Sequence, residues 1–341
     1  MTYGRGHNME GENVERRLPM NFKVVIFCVA VLTFFTTTGC SKQSELEKLP
    51  DGVLSTASEP SPESLEKLPD SVLLTASELS SEAFLNKEIG KSLTEHQGVA
   101  EPLYTQMHEN LRDYNLVSLT SGKIGFSAIA LKNKNDNSLI FAFSGLRKIN
   151  LQDIYQRLIG FESPENGSPV VVDAQAVQAY KWVKSVLNKK ENEGASVYVT
   201  GHSFGGYLAQ FVGYQLKNDG KMKDHPFVQG VTFNSLGVLL EDGSKKLHAK
   251  TKIIQQAYNP LFTNYIVKGD PLDYASKTFF EEITGYTLQH LGEVKYITID
   301  ENYKSALETL EKTKDLWTKA KLLKPLYPYH DLVEFESEFW K

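Results

Sequence analysis

From residue 81 onward the apolar positions change period along the chain, and the changes outline alternating elements. Phe84, Ile89 and Leu93, then Leu103, Met107, Leu111 and Tyr114, recur at helical spacing. Two β-rich runs follow, Lys123–Lys132 (KIGFSAIALK) and Ser138–Phe143 (SLIFAF); the Asn-rich turn Asn133–Asn137 between them predicts a hairpin. Helical patterns fill Leu151–Ile159 and Val170–Leu187. The apolar run Ser196–Thr200 (SVYVT) predicts a buried strand, and the pattern Gly206–Lys217 predicts a helix directly after it. Phe227–Phe233, Asn264–Val267 and Val294–Ile299 read as further strands, and Tyr303–Leu323 as one long helix. Strands alternating with helices predict an α/β fold: a mostly parallel or mixed central sheet covered by helices on both faces, with the reactive edge at the carboxyl ends of the strands.

The amino-terminal part follows a different pattern. Residues 20–40 (MNFKVVIFCVAVLTFFTTTGC) place a basic residue, an apolar run from Val24 to Phe35 and small residues before Cys40, the layout of an export signal, with Met20 as a candidate start. The run is too short for a permanent membrane span. Thr37-Thr38-Gly39-Cys40 resembles the bacterial lipobox, although Thr37 replaces the usual leucine. That resemblance implies cleavage before Cys40, acylation of its sulfur and attachment of the chain to a membrane surface of the bacterial cell envelope. Ser41 is not the aspartate that marks inner-membrane retention, which implies the outer membrane in a Gram-negative cell. Ordinary export with an incidental cysteine is the alternative.

After Cys40, Leu46–Asp51 (LEKLPD) recurs as Leu65–Asp70, and Val53–Glu59 recurs as Val72–Glu78, at an offset of nineteen residues (65 minus 46). Two Ser/Glu/Pro-rich copies are too few for a solenoid, and their composition predicts a flexible tether over residues 40–80. The expected organisation is therefore a signal segment at 1–39, a tether at 40–80 and a catalytic domain at 81–341.

Charge and cysteine content narrow the chemistry. The net charge is −5, and without residues 1–39 the balance is 33 basic against 39 acidic residues, which disfavours a nucleic-acid partner. Cys28 and Cys40 are the only cysteines, so the folded part has no thiol for a disulfide, a cysteine nucleophile or a thiolate metal site.

Gly201-His202-Ser203-Phe204-Gly205 fits G-x-S-x-G between a predicted buried strand and a predicted helix, the context in which that pattern forms a nucleophile elbow. Such a turn lifts the Ser203 hydroxyl over the sheet edge, and Gly201, Gly205 and Gly206 let strand and helix approach without a Cβ clash. It also aims the N–H of Phe204, at the positive end of the following helix, toward a forming oxyanion. His202, adjacent on a diverging turn, suits packing or positioning better than proton transfer.

GHSFGGYLAQ (201–210) resembles the elbow of the class 3 lipases, the fungal triacylglycerol-lipase family and its bacterial relatives, and the resemblance extends with gaps over about residues 125–341. It implies an α/β-hydrolase-like fold. Ile140–Leu146 resembles the strand ahead of that family's second oxyanion donor, which implies a backbone donor at Leu146; Ser144 replaces an arginine, and Leu146 replaces the hydroxyl residue that often assists. Tyr265–Leu272 resembles the segment bearing the catalytic acid, which implies Asp270, with Asp273 and Asp242 as competitors.

A Ser…Asp…His order leaves His290 and His330 as candidate bases, while His225 and His248 precede the acid. Tyr329–Phe335 resembles the near-terminal segment that carries the base, and Gln289–Ile297 a segment whose histidine is not the base, which implies His330. The expected activity is hydrolysis of carboxylic esters, of lipids in particular, through Ser203, His330 and Asp270 and an acyl-enzyme, with no metal or organic cofactor. Residues 146–161 carry Leu151, Ile154, Tyr155, Leu158 and Ile159 at helical spacing and suit either a lid or an ordinary surface helix. A different class of protein, an inactive hydrolase fold used as a tethered binding lipoprotein, is the competing expectation.

Overall fold

The computed structural model describes residues 66–81, 89–95, 99–121, 127–145 and 168–340. Contacts divide the chain into two units, Met1–Asp51 and Gly52–Lys341, and the described residues all belong to the second. The expected leader, Cys40, Leu146 and the helical pattern at 151–159 lie outside the described residues.

Among these residues a seven-stranded mixed sheet runs in the order β1 (Tyr114–Ser121), β2 (Ser127–Asn133), β3 (Leu139–Phe143), β4 (Val197–His202), β5 (Phe227–Phe233), β7 (Phe262–Val267) and β9 (Glu293–Ile297). β1, β2 and β3 pair antiparallel, and every pairing from β3 to β9 is parallel. A separate antiparallel pair joins β6 (Leu239–Glu241) to β8 (Thr287–Gln289). The expected α/β class with helices on both faces is what the chain adopts.

Period-2 geometry explains the core. Alternate residues of β3 point to opposite faces, and the sequence Leu-Ile-Phe-Ala-Phe is buried throughout because both faces are covered. Leu139, Phe141 and Phe143 join Val197 and Val199 in one apolar cluster, whereas Ile140 and Ala142 join Tyr198, Val231 and Phe233 in the other.

On the second face lie α1 (Asp70–Leu79) and α2 (Leu103–Asn110); the first is covered by α3 (Ala174–Leu187) and α4 (Phe204–Asn218). α3 starts where Asp173 caps it by accepting the Ala176 N–H at 2.7 Å. Val170 and Val171, expected in that helix, lie before its cap, with Val170 bridged to Leu239. α5 (Lys245–Tyr258) follows β6.

Three expectations are corrected. The tether does not extend to residue 80: Asp70–Leu79 is a helix in which Leu73, Leu74, Ala76 and Leu79 are fully buried against the sheet. Apolar residues at 72, 73, 76 and 79 form a helical stripe that the Ser/Glu-rich composition around them obscures. Tyr114 does not end a helix but opens β1, an edge strand. The long carboxyl-terminal helix breaks into α6 (Tyr303–Lys312) and α7 (Leu316–Leu322), because Asp315 takes an extended conformation and caps the second piece through the Thr318 N–H at 2.8 Å. A 3₁₀ segment, Lys324–His330, and α8 (Val333–Phe339) complete the chain. Among the described residues no helix is long and apolar enough to cross a membrane.

Candidate active site

β4 ends at His202 and α4 begins at Phe204, so Ser203 alone makes the bend. Its backbone lies at φ 57, ψ −128, a region that side-chain-bearing residues rarely enter. The Ser203 N–H donates to the Phe233 carbonyl of β5 at 3.0 Å, and the Gly206 N–H donates to the Ser203 carbonyl at 3.1 Å. A Cβ on Gly205 would stand 2.1 Å from the Phe143 carbonyl oxygen, and one on Gly201 would stand 2.4 Å from Gly205. The glycines of the motif therefore serve close approach between β3, β4 and α4, while the positive φ falls on the serine.

Ser203, Asp270 and His330 come together from three segments. The Ser203 hydroxyl lies 2.8 Å from His330 Nε2, and His330 Nδ1 lies 2.6 Å from Asp270 Oδ1. With the carboxylate as acceptor, Nδ1 carries the proton and Nε2 is free to accept from Ser203. Asp270 follows the turn after β7, where it accepts the backbone N–H of Leu272 at 3.2 Å and of Asp273 at 3.1 Å. Asp270 and His330 are 2% and 1% exposed, and Ser203 6%.

Two side chains from the sheet edge hold the segment that brings His330. His202 donates from Nε2 to the His330 carbonyl at 2.6 Å, and Asn234, just past β5, donates to the Tyr329 carbonyl at 2.9 Å. Asn234 sits at φ 42 and also accepts the Val267 N–H at 2.8 Å, so it ties β5 and β7 to the same segment. Burial, then the neighbouring His330, pushes the His202 imidazole down to about 3, so it is neutral and one of its nitrogens must carry the proton it donates.

The competing candidates are engaged elsewhere. His290 is buried with Nδ1 3.5 Å from the Ser235 hydroxyl, and burial, then Lys277, pushes it down to about 3. Asp273 pairs with Lys277 at 3.0 Å, with burial raising its carboxyl above the ordinary range. Asp242 caps its own turn through the Ser244 N–H at 2.8 Å.

Of the expected oxyanion donors, Phe204 opens α4 beside the nucleophile, whereas Leu146 lies outside the described residues. Its neighbour Gly145 lies against the nucleophile: a Cβ there would stand 3.0 Å from Ser203 Cβ and 3.6 Å from its oxygen. Among the described residues no group of three or more His, Cys, Asp or Glu side chains is placed to hold a metal ion. Sequence reasoning missed Asn234; its signal was a non-glycine residue that tolerates a left-handed backbone, placed at the end of a predicted strand.

Residues 163–255 match the family model of the class 3 lipases, described as lipase (class 3), and the resemblance read from the elbow holds over that segment. No curated protein sequence matches the chain. Similar solved structures include a lipase from Rhizopus microsporus var. chinensis, 16% identical with a TM-score of 0.44 over 67% of this chain and 71% of that one. A mutant form of MDLA from Penicillium cyclopium is 15% identical with a TM-score of 0.47, over 68% and 80% of the two chains. The lipase M37 is 14% identical with a TM-score of 0.48, over 80% and 99%.

The neutral His202 and His290, the first partly buried and the second buried, set a pH dependence of stability. Both bind a proton near the ordinary imidazole value of about 6.5 when unfolded, and only near 3 when folded. Between those limits the unfolded chain holds more protons, so stability is lost as pH falls from about 6.5 toward 3. Thermal melts across that range should show a declining midpoint, and His290→Gln should make the decline shallower; an unchanged slope in the variant would contradict the assignment.

Proposed function

We propose that this chain, with its class 3 lipase segment, is a serine hydrolase that cleaves carboxylic ester bonds of lipids by way of an acyl-enzyme. The observation supporting this most directly is the unbroken contact from the Ser203 hydroxyl through the His330 imidazole to the Asp270 carboxylate. His330 Nε2 takes the hydroxyl proton as Ser203 Oγ bonds to the ester carbonyl carbon. The carbonyl oxygen gains negative charge, stabilised by the Phe204 N–H and the backbone N–H at Leu146, each such donor contributing about 2.7–4 kcal/mol. His330 then protonates the leaving alcohol, and water enters by the reverse sequence to release the acid. Asp270 keeps the imidazole in the required tautomer and offsets its charge.

The lipobox-like sequence supports a second part of the reading, that acylated Cys40 holds the enzyme on a membrane of the bacterial envelope, close to lipid substrate.

A fluorophosphonate probe should label the intact chain and leave Ser203→Ala unlabelled; equal labelling of both would favour an inactive binding lipoprotein. His330→Ala should reduce turnover of p-nitrophenyl esters by about 10⁴–10⁶-fold, whereas His290→Ala should keep a measurable fraction, and the opposite ranking would reassign the base. His202→Ala and Asn234→Ala, which loosen the base without removing it, should each lower kcat by about 10²-fold with KM little changed; a change in KM alone would argue against positioning. Cys40→Ser should move the protein from the membrane to the aqueous fraction and abolish labelling by a fatty-acid precursor. Retention on the membrane would point to another anchor.

A further inference from the structure

The repeat at 46–78 has no part in the proposed chemistry, yet its second copy is built into the fold. Its described residues 66–78 lead into and form most of α1, which packs across β3, β4 and β5 and contacts α2 and α8. Its entry is fixed at the amino ends of the strands: Tyr198 donates to the Glu66 carbonyl at 2.6 Å, the Leu68 N–H donates to Gln229 at 2.9 Å, and Lys67 donates to the Pro260 carbonyl at 2.6 Å. Asp70 accepts from Gln229 at 3.3 Å and from the Tyr265 hydroxyl. Farther along, Thr200 donates to the Leu73 carbonyl at 3.0 Å, and Asn110 donates to the Thr75 hydroxyl at 3.0 Å.

Those contacts can be carried back nineteen residues. Three of them use backbone atoms, which any sequence supplies. The side chains that make the rest, Lys67, Asp70 and Thr75, recur as Lys48, Asp51 and Thr56. The buried apolar residues Val72, Leu73 and Ala76 recur as Val53, Leu54 and Ala57. The two 14-residue copies differ at two positions: Gly52 stands for Ser71, and Ser55 for the fully buried Leu74. Just past the repeat, Pro60 stands where Leu79 ends α1.

We propose that the groove holding residues 66–78 is a docking site that also accepts residues 47–59, the first copy taking the place of the second in a weaker, alternative register. The asymmetry follows from the differences: Ser55 leaves the Leu74 space unfilled and brings a hydroxyl into it, and Pro60 stops the helix one residue sooner. The second copy is therefore the resident and the first the replacement.

Melting of full-chain variants tests the docking without reference to lipid or catalysis. Deleting residues 60–78 joins the first copy directly to Leu79. That variant should fold and melt roughly 5–15 °C below the parent, with Ser55→Leu in the deleted chain recovering most of the difference, whereas deleting residues 46–78 should abolish the cooperative transition. In the undeleted chain, Leu54→Asp should leave the midpoint unchanged and Leu73→Asp should lower it somewhat below that of the 60–78 deletion, in which Leu79 rather than Pro60 follows the first copy. Leu54→Asp combined with Leu73→Asp should lose at least about 10 °C more than Leu73→Asp alone. If the 60–78 deletion melts like the 46–78 deletion, or Leu73→Asp melts like the double variant, the groove does not accept the first copy and the proposal is overturned.

Discussion

A backbone at φ 57 on a serine carries a strain of about 1–3 kcal/mol, and it persists only where surrounding contacts leave the chain no better path. Here those contacts are backbone against backbone. β3 and α4 approach so closely at Phe143 and Gly205 that no side chain fits between them, and β4 meets the first turn of α4 at Gly201 in the same way. The hydrogen bond from Ser203 to Phe233 then ties the bend to the next strand. Relaxing Ser203 would require moving three elements of a close-packed core, and the rest of the site inherits its precision from that rigidity.

Precision at the proposed nucleophile is of little use unless the proposed base is held equally well, and His330 arrives on a 3₁₀ segment 127 residues away in sequence. Consecutive carbonyls, of Tyr329 and His330, accept from Asn234 and His202, which stand at the carboxyl ends of adjacent strands. The same sheet edge that bends at Ser203 thus also fixes the backbone of its partner. Asp270 completes the arrangement from β7, and its own carboxylate is fixed by two backbone N–H groups. Each residue of the triad is referenced to the sheet rather than to a surface loop, the condition under which sub-ångström positioning is retained.

What could be read from the sequence followed how local each signal was. The elbow is contiguous, so five residues with their flanking strand and helix were enough to place Ser203. Asp270 and His330 needed chain order and family resemblance, because nothing near either residue records its distance from the serine. For His202 a positioning role was legible but its partner was not, and Asn234 had only the weak signal of a strand-end residue that tolerates a left-handed backbone: a carbonyl 128 or 95 residues away is not recorded in local pattern. α1 was misread for a different reason. The Ser, Glu and Pro content of residues 40–80 and their repetition point to a tether, and they mask the apolar stripe of Val72, Leu73, Ala76 and Leu79 although it spans two helical turns. At Asp315 one capping residue divided a helical pattern that apolar spacing alone had joined.

His202, His290 and His330 also show why removal from water alone does not make a base. Taking an imidazole out of water penalises its charged form, and His202 and His290, with no carboxylate bonded to either among the described residues, are pushed down to about 3. His330 is as buried as His290, but Asp270 lies against its Nδ1, where it can offset an imidazolium charge. The carboxylate is in turn tolerated in the interior because backbone N–H groups at a helix start bond to it. The choice among candidate bases is therefore electrostatic as well as geometric: of these three imidazoles, His330 alone has both the Ser203 hydroxyl and a countercharge within hydrogen-bond reach.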